Sequence, residues 1–250
     1  MEVQNRLVEV LDNFDSICSD LNIDLPAEIE TRQKQYEYYR DSLLTFAETG
    51  HIMPQTDRQT DRQTDRQAII RLVQYVFGYV TVELKDVVKI KNGKDYKHLS
   101  SGIYPVYGSG GVINHVNEFV YDKETVLIPR KGSLNNLFYV NEPFWNVDTI
   151  YYTEINKKDV LPKYFYYLLQ TKHIEELNTA GGVPSLTQTV LNKINLDLPS
   201  IEKQQKVISV LDKFQSIYND LQSGLPAEIE ACQRQYEYYR DKLLTFKELK

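Results

Sequence analysis

The chain is poor in the residues that build disulfide frameworks, membrane spans and metal centres. It has 250 residues but only two cysteines, Cys18 and Cys232. They stand far apart and at non-equivalent points of a duplicated segment. They therefore read as lone thiols of a reducing cytoplasm, not as a bridge or metal site. The four histidines, His51, His98, His115 and His173, lack zinc-ligand spacing and read as surface or hydrogen-bonding residues. No apolar run approaches about 18 residues, so no membrane span is expected. The polar N-terminus lacks a basic-then-apolar leader pattern. Positive charge is not in excess either, since the net charge is −6. Catalytic motifs are missing as well. There is no G-x-x-x-x-G-K phosphate loop, and Gly108–Gly111 is too compact for a dinucleotide fingerprint. Nuclease and methyltransferase signatures are absent, and Asp148, set among aromatics, reads as a loop-orienting residue.

What the chain does have is a long segment written twice. Residues 4–46 recur at 204–246 without a gap, and 27 of the 43 positions are identical. The densest identity is Leu25–Glu30 against Leu225–Glu230, then Gln35–Asp41 against Gln235–Asp241. A duplication of this length marks a structural unit. In the first copy Leu7, Leu11, Phe14, Cys18 and Leu21 alternate at four- and three-residue steps, the stripe of one helix face. Val207, Leu211, Phe214, Tyr218 and Leu221 repeat it. Pro26 and Pro226 suit the first position of a new helix. The restarted helix is expected from Pro26 to Ala47, with Ile29, Tyr36, Leu43 and Phe46 near one face and a length of about 33 Å. Its counterpart carries Ile229, Tyr236 and Leu243. Matching stripes suit antiparallel pairing of the two copies, against the plainer reading of separate helical hairpins.

Residues 48–78 join the first copy to the middle of the chain. Thr-Asp-Arg-Gln occurs three times there, at Thr56–Gln59, Thr60–Gln63 and Thr64–Gln67. Middling helix propensity leaves a frayed helix or a flexible linker open. The codons ACA-GAC-AGA-CAG spell this tetrapeptide and are also one four-base unit repeated. The gene is thus a candidate for slippage that shifts the frame, the alternative being a plain duplicated linker.

Residues 79–200 read as a mixed domain with 13 charges of each sign, whereas residues 1–50 carry 11 acidic and four basic residues. A neutral domain grips DNA weakly alone. Strands are expected at Val82–Ile90, Ile103–Tyr107, Val126–Pro129, Leu137–Val140 and Thr149–Thr153, with turns at Asn92-Gly93 and Gly108–Gly111. A helix is expected from Pro162 to Leu177, and Ser185 is expected to cap a short helix over Leu186–Lys193. Loops carry the candidate contacts. Arg130 and Lys131 precede Ser133, Asn135 and Asn136, and arginine and asparagine can pair in bidentate fashion with guanine and adenine. Ser185, Thr187 and Gln188 lie at a helix start, where amide hydrogens favour phosphate. The plain alternative is that all of these are turn and capping residues.

The repeated LPAEIE…QYEYYRD-x-LLTF segment resembles the conserved helical regions of the specificity subunit of bacterial type I restriction–modification systems. Tyr121–Ser133 with Phe144–Thr149, and Thr179–Gln188, resemble one of that family's target recognition domains. The resemblance implies an α+β architecture: one mixed target recognition domain flanked by two long helical segments that form an antiparallel coiled coil. The implied layout is a first helical copy at 1–47, a linker at 48–78, the recognition domain at 79–200 and a second copy at 201–250. It further implies a non-catalytic DNA-recognition subunit that reads double-stranded DNA and docks methyltransferase and restriction subunits. S-adenosylmethionine, ATP and Mg would belong to those partners. In this reading Leu7, Leu11, Phe14, Ile29, Tyr36, Leu43, Leu211, Phe214, Ile229, Tyr236 and Leu243 serve docking or helix pairing. The chain departs from the full family pattern in having one reader, which implies a homodimer on a split palindromic site. A truncated decoy and a stand-alone DNA-binding regulator are the alternatives.

Overall fold

The computed structural model describes residues 2–20, 26–51, 62–178, 184–221 and 226–244. The chain divides into two compact units, Met1–Val82 with Asp197–Ser200, and Glu83–Leu196 with Ile201–Lys250.

The first unit holds α1 (Glu2–Asp20), α2 (Pro26–Thr49) and α3 (Arg62–Phe77). Strand β1 (Tyr79–Glu83) pairs with β9 (Asn195–Pro199). Proline opens α2 as expected, because the first helical position needs no amide hydrogen. The helix runs two residues past the expected Ala47 and stops at Gly50. That glycine takes φ +72° and donates its N–H to the Phe46 carbonyl at 2.8 Å, a left-handed cap. Leu43, Phe46, Ile69, Ile70, Val73, Val76 and Val80 are buried. Thr64–Gln67, the third tetrapeptide unit, is helical and belongs to α3. Thr56–Asp61 lie outside the described residues. Gln74 donates to the carbonyls of Leu198 and Pro199, each at 3.1 Å, and Thr81 donates to Asp197 at 2.6 Å.

The second unit is the mixed domain followed by the second helical copy. Its elements are α4 (Leu84–Val87), β2 (Val88–Lys91), β3 (Ser101–Gly108), β4 (Gly111–Val116), β5 (Thr125–Pro129), β6 (Phe138–Val140), β7 (Trp145–Asn146) and β8 (Ile150–Ile155). Then come α5 (Pro162–Gln170), a 3₁₀ turn (Ile174–Leu177), α6 (Gln188–Leu191), α7 (Ile201–Leu221) and α8 (Pro226–Leu244). One antiparallel sheet has the order β2-β8-β5-β6, and a second has the order β4-β3-β7. Every residue of β5 is buried, which is why it reads as a continuous apolar run. Tyr164, Phe165, Leu168 and Leu169 of α5 are buried, as their helical spacing requires. Between β5 and β8, the Thr125 and Thr153 hydroxyls lie 3.1 Å apart and also bond backbone groups, so neither buried oxygen is left unsatisfied.

Two expected elements are broken in the structure. Val82–Ile90 is not one strand, because α4 interrupts it. Glu83 and Asp86 form a reciprocal capping box there, which outweighs the β propensity of the flanking valines. The helix from Pro162 ends at Gln170, and His173 takes the left-handed conformation at φ 43° before the 3₁₀ turn.

Near-identical sequence hides different burial in the two helical copies. Gln4 is exposed, whereas Gln204 is fully buried. Its side-chain oxygen accepts the Leu161 N–H at 2.8 Å and its amide donates to the Asp159 carbonyl at 2.9 Å. Asp212 adds a second tie, accepting from Lys163 at 2.7 Å and from the Tyr167 hydroxyl at 2.6 Å. These contacts join α7 to α5 and to the segment that leads into it. Gln204→Ala leaves the Leu161 N–H without its acceptor and is expected to cost about 1–3 kcal/mol. Gln4→Ala is expected to stay within about 0.5 kcal/mol. Urea denaturation of the two single variants checks the contrast.

Candidate nucleic-acid interface

Strand register places five loop segments at one end of the mixed domain. Lys91 lies opposite Tyr152, Pro129 opposite Ile150, and Tyr107 beside Asn146. The chain therefore leaves β2, β3, β5 and β7 and enters β8 at the same end. The connections there are 92–100, 109–110, 130–137 and 147–149. Residues 184–187 join them, because Arg130–Gly132 pairs with Pro184–Leu186. Lys131 bridges Ser185, Leu186 donates to the Arg130 carbonyl at 2.8 Å, and Gly132 donates to the Pro184 carbonyl at 3.1 Å. On the other side, the N–H groups of Arg130 and Lys131 both donate to the Thr149 carbonyl, at 2.9 and 3.2 Å. Gly132 takes φ +83°, and a Cβ built there would lie 3.2 Å from the Ser109 hydroxyl. The glycine thus supplies both the turn and the close approach of the 109–110 loop.

Two loops that are some 50 residues apart in sequence are brought together, and both carry side chains whose chemistry suits DNA. Arg130 is half-buried. Its guanidinium lies 6.0 Å from the centre of the Tyr151 ring and donates to the Asp148 carbonyl at 3.4 Å. Asp148 therefore contributes backbone to this loop. The Tyr151 hydroxyl donates to the Leu186 carbonyl at 3.2 Å. Burial raises the Tyr151 pKa above the ordinary phenol value, and the nearby Arg130 charge opposes that shift. Tyr151 thus supports Arg130 and the 184–187 segment at once. Tyr151→Phe removes one hydrogen bond and is expected to cost about 1 kcal/mol. Amide exchange at Leu186 is expected to stay slow, since that N–H keeps its Arg130 acceptor, while neighbouring amides quicken. Hydrogen exchange read at residue level checks this.

The remaining candidates divide. Lys131 and Ser133 are exposed. Asn136 donates to the Ser109 carbonyl at 3.0 Å, and Gln188 donates to the Asn92 side chain at 3.2 Å. The Ser185 N–H donates to the Asn178 side chain at 3.0 Å. The short helix is capped by Thr187, whose hydroxyl accepts the Val190 N–H, and not by Ser185. It spans only Gln188–Leu191, and one turn sums too few peptide dipoles to favour phosphate at Ser185, Thr187 and Gln188. Thr179–Val183 lie outside the described residues. Asn135 lines a cleft of about 580 Å³ with His173, Glu175, Glu237, Arg240 and Asp241. Three carboxylates make that cleft a poor seat for phosphate and set Asn135 apart from Arg130.

Two residues of this end, Asn92 and Ser109, read in the sequence only as turn residues, and the structure sets them beside the candidate contacts Gln188 and Asn136. Asn92-Gly93 has the composition of a tight hairpin turn, yet β2 pairs with β8 and the segment instead packs Gly93 against the backbone of 146–147. Ser109 shows no local signal of this contact, because its neighbours Gly132 and Asn136 come from a distant loop. Among the helix-face candidates, Leu43 and Leu211 are fully buried within their own units, and Leu7, Leu11, Tyr236 and Leu243 are half-buried. The side chains of Phe14, Ile29, Tyr36, Phe214 and Ile229 lie outside the described residues. Among the described residues, no helix is long and apolar enough to cross a membrane.

Residues 78–231 match the family described as the type I restriction modification DNA specificity domain. A Mycoplasma pneumoniae protein named as a type I specificity subunit, S.MpnORF201P, is 25% identical over 98% of this chain and 93% of its own length. The specificity subunit of the Escherichia coli type I restriction enzyme EcoR124I/EcoR124II is 28% identical over 98% of this chain and 60% of its own length. A chain from a structural study of complex assembly and conformational transition in the type I R-M system superposes with TM-score 0.50 at 16% identity, covering 97% of this chain and 59% of that one. At that identity the likeness is one of fold. This chain thus spans nearly all of the M. pneumoniae protein but about 60% of the E. coli and solved chains. The family match covers more than half of the sequence and includes every loop of the candidate interface: the chain belongs to the type I restriction–modification DNA specificity family and carries one recognition domain between two copies of its helical segment.

Proposed function

We propose that the chain is the DNA-reading subunit of a type I restriction–modification complex and that its recognition domain, residues 79–200, reads one half of a split site. The observation that carries this reading is the pairing of Arg130–Gly132 with Pro184–Leu186 at the end of the sheets where Asn92, Ser109 and Asn136 also converge. Arg130 is the candidate for guanine, and Asn136 and Gln188 are candidates for adenine. Lys131 and Ser133 serve the phosphate backbone. Ser185 and Thr187 hold their loop in place. Asn135 stands at the margin.

The helical copies, 1–47 and 201–250, pair antiparallel, hold two readers apart and dock methyltransferase subunits, which bring S-adenosylmethionine. Restriction subunits that use ATP and Mg join the same assembly. One reader per chain makes the working unit a homodimer on an inverted repeat. The tetrapeptide tract reflects a slippage-prone gene repeat that switches the reading frame. A gene sequence whose synonymous codons break the four-base period would remove that last element.

The balance of 13 charges of each sign in residues 79–200 sets the expected behaviour. Alone, the chain binds DNA weakly, because too few cations face the backbone to release many counterions. With methyltransferase it binds tightly and specifically. Fluorescence anisotropy with labelled duplex, with and without methyltransferase, tests this at one stated salt concentration. Tight binding by the chain alone would favour a stand-alone regulator. Sequestration of methyltransferase without any gain in DNA affinity would favour a decoy.

A further inference from the structure

The recognition domain holds 13 charges of each sign, but the direction of its strands separates them. The connections at the Arg130 end, 92–100, 109–110, 130–137, 147–149 and 184–187, carry four cations against two carboxylates. The connections at the opposite end, 117–124, 141–144 and 156–161, carry five carboxylates against three lysines. A domain without net charge is thus polarised along its strands, and its field turns the Arg130 end toward a polyanion. Two of the four cations, Lys94 and Lys97, belong to the 92–100 loop, which leaves β2 at this end and runs beside β7.

Backbone and core contacts hold that loop along its length. Gln188 donates to the Asn92 side chain at 3.2 Å. Lys94 donates its N–H to the Asn146 carbonyl at 2.8 Å, and its own carbonyl accepts the Trp145 indole at 3.0 Å. Ser100 donates its N–H to the Asn117 side chain at 3.1 Å, and the Asn117 N–H returns to the Ser100 carbonyl at 3.0 Å. Between these anchors Tyr96 and Leu99 pack inward against Val106, Val116 and Trp145. The side chains of Lys94 and Lys97 are left exposed. Among the described residues neither has a carboxylate partner, whereas Lys91, at the end of β2, is tied to Glu154 at 3.4 Å. A separation of three residues keeps their Cα atoms within about 11 Å, so the two long side chains reach neighbouring phosphates of one strand. Because the loop is already ordered, little chain entropy is lost on contact.

We propose that the 92–100 loop is a preorganised clamp for the phosphate backbone, in which Lys94 and Lys97 each neutralise one phosphate beside the bases that Arg130 faces. The assignment rests on the proposed function, since it takes DNA to lie at this end of the domain. The two ammonium groups are point charges and carry no base preference, so the clamp sets affinity and register and leaves sequence reading to the neighbouring loops.

The test is the salt dependence with which the full-length chain, alone and with methyltransferase, binds a labelled duplex of arbitrary sequence between about 20 and 200 mM salt. Lys94→Ala and Lys97→Ala are each expected to lower the slope of log K against log salt by about 0.9, and the double variant by about twice that. At 0.1 M salt each lost contact is expected to weaken binding roughly 8-fold. Lys94→Arg is expected to keep the slope. Lys158→Ala, at an exposed position of the opposite end, is the control and is expected to keep it too. Thermal melting is expected to be unchanged in every variant, and Lys94→Gln with Lys97→Gln replaces a double variant that melts early. A double variant with the slope of the unaltered chain overturns the proposal. So does a loss in Lys158→Ala as large as that in Lys94→Ala. If the unaltered chain binds no duplex, alone or with methyltransferase, the proposed function fails and takes the clamp with it; if it binds with a slope that the lysine variants share, the clamp alone fails.

Discussion

Gly93→Ala is expected to be among the most damaging single substitutions in the recognition domain. A Cβ at this position would lie 2.0 Å from the Val147 carbonyl oxygen, 2.3 Å from its carbon and 2.6 Å from the Asn146 carbonyl oxygen. All three are backbone atoms, so no rotamer change relieves the overlap. The opposing strand is also held firmly. Lys94 donates to the Asn146 carbonyl at 2.8 Å, the Trp145 indole donates to the Lys94 carbonyl at 3.0 Å, and Val147 donates to the Tyr107 carbonyl at 3.0 Å. Forcing these apart is expected to cost about 3 kcal/mol or more. In a chain of this size that lowers Tm by roughly 6–12 °C. The damage reaches the interface, because Thr149, two residues beyond Val147, holds the Arg130 and Lys131 amides. Gly110→Ala is the control: its Cβ meets nothing within 4 Å, and its effect is expected to stay below about 0.5 kcal/mol. Calorimetry of both variants reads the contrast.

The second large effect is on recognition. Under the proposed function, Arg130→Ala removes a bidentate base contact worth about 1–3 kcal/mol, or roughly 5- to 150-fold in discrimination at one base pair. Its stability cost is smaller, about 0.5–1 kcal/mol for the lost ring contact with Tyr151. Arg130→Lys is not expected to restore discrimination, since an ammonium cannot reproduce the planar fork. Lys131→Ala is expected to behave differently. It should weaken binding to all sequences alike and reduce the salt slope by about one. Binding measured across single-base variants of the site, at several salt concentrations, separates the two residues. Uniform weakening by Arg130→Ala would move that residue from base reading to backbone contact.

Much of the fold is legible in the sequence where the signal is local. The buried strand β5 shows as an apolar run, and α5 shows its inward face by helical spacing. The proline openings of α2 and α8 and the two candidate loops are also readable. What escapes depends on distant partners. The α4 turn interrupts a stretch of strand formers because Glu83 and Asp86 cap each other. Asn92-Gly93 has hairpin composition but serves close packing against β7. Gln4 and Gln204 are the same residue in the same repeat, and only the presence of Leu161 and Asp159 beside one of them separates an exposed amide from a buried one. The third tetrapeptide unit is helical because α3 carries a buried face at Ile69, Ile70, Val73 and Val76, and that packing outweighs the middling propensity of Thr and Asp. The cap at Thr187 lies two residues from the expected Ser185, within the ordinary spread of short helix ends.

The proposed role of the loops around Arg130 and Ser185 is to read DNA for a methyltransferase. Its most direct test is methylome sequencing of cells that carry this chain with its methyltransferase, beside cells carrying the Arg130→Ala chain. One methylated motif of two identical inverted half-sites around a fixed spacer is expected, lost or relaxed at one base position in the variant. An unchanged motif and unchanged methylation in the Arg130→Ala chain would contradict it.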